Sequence, residues 1–404
     1  MPQANSPAAA PGRSVRDPRL DVWRGFAMLI ILVAHVPGNH WANFIPARFG
    51  PSDAAEMFVF CSGFAAAIAF GGTFERHGWW TGTRRILFRC WQIYWAHVGL
   101  FWSIAAISVL STWYVGEEVK NYVISLGINA FVDDTEMALV GLMTFSWVPN
   151  YFDILPMYFV ILLMTPLVVL LQRWHTAAAI AFCVGLYAAT WILDLEFSAD
   201  PRSGRPWFFN PLAWQLLFFT GFMLSRGWIR PPPPDWRLAL AGIVFVLVLV
   251  PVSRWQIYVG NPTLQAIHDA LWLKDLTYWD QAAIFKTNEH PLRLLHILVL
   301  SYLAVLAVRR REHWLRRWPL SMVEKVGQQA LATFLFSMAF ARVLGVVLDE
   351  WGRTMFTWAV VNIVGLASVI AVAYIVSWYK QEPWRRPPPA RANTMPPAAE
   401  VGSA

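Results

Sequence analysis

The sequence predicts an all-α integral membrane protein, a bundle of about ten transmembrane helices with both termini cytoplasmic. Three observations carry that reading. Of 404 residues, 57% are hydrophobic and only 14% charged, where soluble domains carry roughly 25% charge. Mean hydropathy is +0.44, and apolar stretches long enough to span a bilayer recur along the chain. The basic residues, finally, fall on one side of those stretches. The 24 tryptophans suit the membrane–water interface, where an indole ring sits among lipid and its N–H stays wet. This composition excludes a disordered chain, a nucleic-acid-binding domain and a secreted disulfide scaffold.

Candidate spans fall at 22–38, 55–72, 87–112, 154–172, 176–195, 210–228, 238–256, 292–309, 328–348 and 355–378. The second is short and rich in Gly and Ala, which suits close helix packing better than lipid exposure. The third is long enough to tilt, and the seventh, built on GIVFVLVLV, has the cleanest apolar signal. Residues 1–19 and 381–404 read as disordered cytosolic tails around one transmembrane domain at 20–380, and the first tail lacks the apolar core of a cleavable signal peptide.

With the N-terminus inside, 22 of the 32 basic residues lie in the tail to Arg24, in 74–89, at Arg173, in 226–237, in 309–325 and in the C-tail. That bias supports an even number of spans. Prolines 231–234 separate the sixth and seventh spans. The block Arg309, Arg310, Arg311, Arg316, Arg317 interleaves with Trp314 and Trp318, a pattern that suits lipid headgroups. Two long outside loops, 113–153 and 257–291, carry aromatic and acidic residues. They suit sugar binding as well as they suit structured caps.

Polar groups within spans are costly and mark candidate sites. The first span holds Asp21, Arg24 and His35 in RLDVWRGFAMLIILVAHVPGNH. Eleven residues separate Arg24 from His35, which returns to within about 20° of the same helix face after a rise of about 16 Å. Imidazole takes and returns a proton near neutrality, although a lone His also serves as a packing residue. Asp53 and Glu56, three apart at a helix start, share a face. They read as an N-cap or as carboxylates that orient His35. Arg85 and Arg89, with Arg84 beside them, are topology anchors or a clamp for phosphate and carboxylate. Asp153 and Arg342 are the most costly remaining polar groups to leave unpaired, and Asp153 is a candidate substrate-binding carboxylate. Cys61, Cys90 and Cys183 read as packing residues, and no zinc spacing is present. No Walker loop, GxGxxG or HExxH occurs.

RDPRLDVWRGFAMLIILVAHVPGNHW followed by FGPSDAAEMFVFCSGFAAA closely resembles the start of the OpgC family. The likeness continues through FDILPMYFVILLMTPLVVLL, FFNPLAWQLLFFTGFML and GQQALATFLF, from residue 16 to about 375. The resemblance implies a membrane acyltransferase-3-like enzyme that succinylates osmoregulated periplasmic glucan in the bacterial inner membrane. The wider group's Arg-x10-His pattern falls on Arg24 and His35, whereas its Arg-x2-Arg motif is absent. By this resemblance His35 acts as base or acyl carrier, assisted by Asp53 or Glu56. Succinyl-CoA is the donor substrate, with its phosphates near Arg24, Arg84, Arg85 and Arg89, and the acceptor is a periplasmic glucan hydroxyl. No permanently bound cofactor, metal or nucleic acid is implied, and the lipid bilayer is the surrounding partner. Acetylation of another cell-surface glycan and proton-coupled transport are the alternative readings.

Overall fold

The computed structural model describes residues 17–271 and 286–385. Its long elements are α1 (Pro18–His35), α2 (Ala54–Ala66), α3 (Gly72–Val115), two short helices α4 (Asn129–Asp133) and α5 (Thr135–Thr144), then α6 (Ile154–Trp174) and α7 (Thr176–Ile192). A small antiparallel pair, β1 (Ser198–Asp200) on β2 (Arg205–Pro206), precedes α8 (Pro211–Arg226). There follow α9 (Trp236–Ser253), the short α10 (Trp255–Tyr258) and α11 (Pro262–Ala270), then α12 (Pro291–Val308), α13 (Leu320–Gln328), α14 (Ala330–Trp351) and α15 (Met355–Lys380). Each of the ten apolar segments lies on a helix.

Six helical stretches are long and apolar enough to cross a membrane, with Ala54–Val115 counted as one. α1 is apolar but carries Arg19, Asp21 and Arg24, and α7 and α8 have 17 and 16 residues. Most of the expected tails, 1–16 and 386–404, lies outside the described residues, as does 272–285 of the second loop. The helix itself starts two residues before the expected domain edge. Asp17 caps it by accepting from the Arg19 amide at 2.9 Å, with Pro18 at the first turn.

Capping chemistry sets most helix starts. Asn210 before Pro211, Asp235 after the proline run, and His290 before Pro291 each accept from backbone amides of the helix they open. The α2–α3 region is a hairpin rather than one rod. α2 passes through a π-helical turn at Ala67–Gly71 into α3, which breaks at Gly78 (φ 80°), a conformation glycine adopts without Cβ strain. Beyond the break Arg85 reaches back to the Thr73 hydroxyl and lies 5.6 Å from the Phe70 ring. Residues 72–77 thus extend α2, and 79–115 turn back past them, Gly82 against Phe74, to run along α6 and α14. That returning arm rises about 55 Å, more than the hydrocarbon thickness of about 30 Å.

Small residues let the inner helices touch backbone to backbone. A Cβ on Gly63 of α2 would overlap the Phe218 carbonyl of α8, and one on Gly221 of α8 would overlap the Phe60 carbonyl of α2. α1 and α13 meet the same way through Gly25 and Gly327. Hydrocarbon tails give no hydrophobic reason for two helices to associate, so such close van der Waals contact holds the centre. The short, Gly- and Ala-rich second span therefore lies inside the bundle, with nearly all of α2 buried. Gly221→Leu is expected to destabilise the protein by on the order of 3 kcal/mol. Gly99→Leu, where a side chain meets open space, is expected to change little. Thermal unfolding of both variants in detergent checks the difference.

Candidate active site

His35 is the last residue of α1. It lies at the floor of a cavity of about 530 Å³ that the end of the bundle encloses. One wall is the turn after α1, with Asn39, His40 and Arg48. The carboxyl-terminal turns of α3 and the following loop add Ser108, Lys120 and Tyr122. Tyr151, Arg342 of α14 and Trp358 of α15 complete it. The first long loop of the sequence is therefore a structured wall of this cavity.

The turn that carries His35 is held by a reciprocal amide pair. Asn39 Nδ2 donates to Asn362 Oδ1 and Asn362 Nδ2 donates to Asn39 Oδ1, both at 2.8 Å, and Asn39 Nδ2 also reaches the Val33 carbonyl. Both asparagines are buried, where satisfied polar pairs fix geometry. The imidazole itself is oriented by backbone. Its Nδ1 is 2.8 Å from the Ile31 carbonyl oxygen. A carbonyl only accepts, so Nδ1 carries the hydrogen and Nε2 holds the lone pair. Nε2 has no hydrogen-bond partner among the described residues. The carbonyl end of α1 also favours a positive charge on the ring.

Around that ring the charges are cationic. Tyr151 stands edge-on to His35 with centroids 5.6 Å apart, and the Arg342 guanidinium lies over the same phenol ring, 4.8 Å from its centroid. Tyr151 has φ 74°, a left-handed backbone that costs a bulky residue energy and recurs at functional sites. Lys120 is held by Asp349 at 2.6 Å, and the Tyr122 hydroxyl donates to the same oxygen at 2.8 Å. Burial and that carboxylate push the Tyr122 phenol above its ordinary value. Among the described lining residues there is no Asp or Glu.

Asp53 and Glu56 make no hydrogen bond to His35 among the described residues; their hydrogen bonds and ion pairs lie within the α2 cap and with Lys286 and Arg293. They form a capping box at the start of α2: Asp53 accepts from the Ala55 amide at 2.7 Å, and Glu56 accepts from the Asp53 amide at 2.8 Å. Asp53 is ion-paired with Lys286, and Glu56 with Arg293, whose Nε donates to Glu56 Oε1 at 2.7 Å. Glu56 and Arg293 are 0% and 1% exposed, so this pair ties α2 to α12 beneath the surface. Asp53, Lys286 and Arg342 are still near enough for their charge to act on His35.

Glu289 completes the cluster. It is fully buried, 3.9 Å from Arg293, and its carboxyl oxygens have no hydrogen-bond partner among the described residues. Burial and the neighbouring Glu56 carboxylate hold its carboxyl well above the usual carboxylate range, against the pull of Arg293 and Lys286. A neutral Glu289 leaves two carboxylates balanced by two cations. A raised folded-state pKa gives stability that is present below the ordinary carboxylate value and is lost as pH rises through the folded value. Melting temperature is therefore expected to fall from acidic towards alkaline pH, and Glu289→Gln is expected to flatten that fall. Melting curves of both proteins across about pH 5 to 9 check this.

The predicted arginines separate into two groups. Arg24 is half-buried, pairs loosely with Asp21 at 3.9 Å, and its Nε is buried without a partner. Arg89 donates to Gln92 Oε1 at 2.9 Å in an exposed contact on its own helix. Arg85 is taken by Thr73 and Phe70, and Arg84 is exposed. Asp153 does not line the cavity either. It is buried and accepts from the Phe208 amide at 2.9 Å, so it anchors the loop before α8. Arg48, Lys120, Tyr151 and Arg342 complete the cavity, and only Arg342 stood out in the sequence, as a cation in an apolar run.

A cavity lined by an imidazole with an unpartnered Nε2 fits an acyl-transfer site, and the family comparison agrees. Residues 16–381 match the family model described as OpgC protein. The chain belongs to the OpgC family. No curated protein and no solved structure matches it. Membership of the OpgC family makes it a membrane acyltransferase of glucan, and the resemblance read from the first span is the same family.

Proposed function

We propose that this protein moves a succinyl group from cytosolic succinyl-CoA to hydroxyls of periplasmic glucan in the bacterial inner membrane. The observation that carries this reading is His35, with Nδ1–H fixed on the Ile31 carbonyl and Nε2 free at the floor of the cavity. Arg24 lies on the same helix about 16 Å nearer the other end, close to the reach of an extended pantetheine chain. Coenzyme phosphates then meet Arg24 and Arg89, and the thioester carbonyl meets the glucan hydroxyl beside His35.

The reaction needs only proton movement and carbonyl addition. Nε2 of His35 takes the hydroxyl proton as the alkoxide oxygen bonds to the thioester carbon. The tetrahedral intermediate collapses with loss of the C–S bond, and the coenzyme thiolate recovers the proton from His35. An ester and free coenzyme A result. The carbonyl end of α1 supports the transient imidazolium, a role that the sequence reading gave to Asp53 or Glu56. Trp358, stacked on His40 at 4.8 Å, offers a flat apolar face at the cavity wall for a sugar ring.

Ten spans with both termini cytoplasmic accord with this direction of transfer. Arg19 meets Glu312 at the start of α1, while Arg226 pairs with Glu75 and Arg173 donates to the Phe74 carbonyl at the far end of α2. The basic segments thus gather away from the His35 cavity, as positive-inside orientation requires. Mass spectrometry of periplasmic glucans from cells with and without the protein tests the reading. Succinyl esters should vanish with the protein, and unchanged glucans would remove the proposal.

A further inference from the structure

Arg342 stands in the apolar run FLFSMAFARVLGVVL of α14, where a cation needs a reason. Its Nε is buried without a hydrogen-bond partner, and no carboxylate lies within ion-pair distance among the described residues. Its neighbours explain its position but not its charge. The guanidinium lies 4.8 Å over Tyr151, whose ring is 5.6 Å from His35. Two further cations line this space: Lys120, paired with an Asp349 that also holds Arg353, and Arg48, whose Nε is likewise buried without a hydrogen-bond partner. Among these cations Arg342 is the one whose guanidinium lies on the ring that meets His35, and the described lining residues include no Asp or Glu to answer it.

We propose that Arg342 is a specificity-determining residue that binds the terminal carboxylate of a dicarboxylic acyl group while His35 acts at the carbonyl end. The inference rests on the reading of the His35 cavity as the transfer site. Size supports it. Through Tyr151 the imidazole and guanidinium lie within about 10 Å of each other. A four-carbon diacid places its two carboxyl carbons about 4 Å apart, from C–C bonds of about 1.5 Å. Contacts of about 3 Å at each end fill the remaining distance. An acetyl group reaches His35 and leaves the arginine bare in a low-dielectric site, which is the costly arrangement. Arg suits the task because its planar fork meets a carboxylate with two parallel hydrogen bonds.

The test compares succinyl-CoA and acetyl-CoA as donors, with a neutral glucan as acceptor, for the purified wild type, Arg342→Gln, Arg342→Lys and His35→Ala. A neutral acceptor removes any anion on the glucan as the ligand of Arg342. Arg342→Gln should lower the succinyl-to-acetyl ratio by roughly 10- to 100-fold, mainly through loss of succinyl transfer. Arg342→Lys, which keeps charge but not the fork, should fall between and decides the matter if the Gln variant does not fold. Equal loss with both donors, or no change in the ratio, would overturn the assignment. Full activity of His35→Ala would instead overturn the placement of the reaction in this cavity.

Discussion

Alanine at His35 is expected to abolish acyl transfer while leaving the protein folded and inserted. The ring ends α1 and lines a cavity rather than filling the core, so its removal opens no void among packed helices. Its one hydrogen bond, to the Ile31 carbonyl, closes a helix end where water can take over. Activity is another matter. A positioned base contributes about 10²–10⁴ in rate, and His40, the second imidazole lining the cavity, lacks the backbone hydrogen bond that orients His35. His40 is turned onto Trp358, and Asp53 is held by Lys286. A loss of at least about 1,000-fold is therefore expected, with an unchanged elution profile in detergent. Near-wild-type transfer would make His35 a packing residue.

Glu56→Ala has the largest expected effect on stability. The substitution strands a guanidinium that is 1% exposed and removes half of the capping box on α2. Breaking a buried pair from one side costs about 3–5 kcal/mol, and a lost cap about 1 kcal/mol. Asp53 and Glu289 lie 3.8 Å and 3.9 Å from Arg293 and soften the blow, since Glu289 can ionise in place of Glu56. About 4 kcal/mol remains. Replacing both partners, Glu56→Ala with Arg293→Met, should recover most of the ion-pair part, because an apolar pair has no charge to desolvate. Chemical unfolding of the single and double variants in detergent measures this. A double variant weaker than the single would show that the pair is not what joins α2 to α12.

The sequence contained the helices and one half of the site. Each apolar stretch read from hydropathy lies on a helix, because lipid-facing and core-facing residues are both apolar, and six helical stretches are long and apolar enough to cross a membrane. The Arg24–His35 spacing put both residues on one helix, where geometry follows from residue count. What sequence did not show is who answers whom across the bundle. Asp53 and Glu56 looked available to His35, yet their partners Lys286 and Arg293 stand more than two hundred positions away in the chain. The three arginines entering α3 looked like one clamp. The break at Gly78 folds Arg85 back onto Thr73 and Phe70, while Arg89 bonds Gln92 on its own helix. Tyr151 joins His35 to Arg342 from a loop with no periodic signal.

Donor and acceptor on opposite faces of one membrane, with His35 between them, is the claim most open to direct measurement. The purified protein would be reconstituted in vesicles with radiolabelled succinyl-CoA on the side of Arg24 and glucan on the side of the His35 cavity. The account predicts labelled ester on the glucan in wild-type vesicles and background label with His35→Ala. Unlabelled glucan in wild-type vesicles, or full label with the variant, would contradict it.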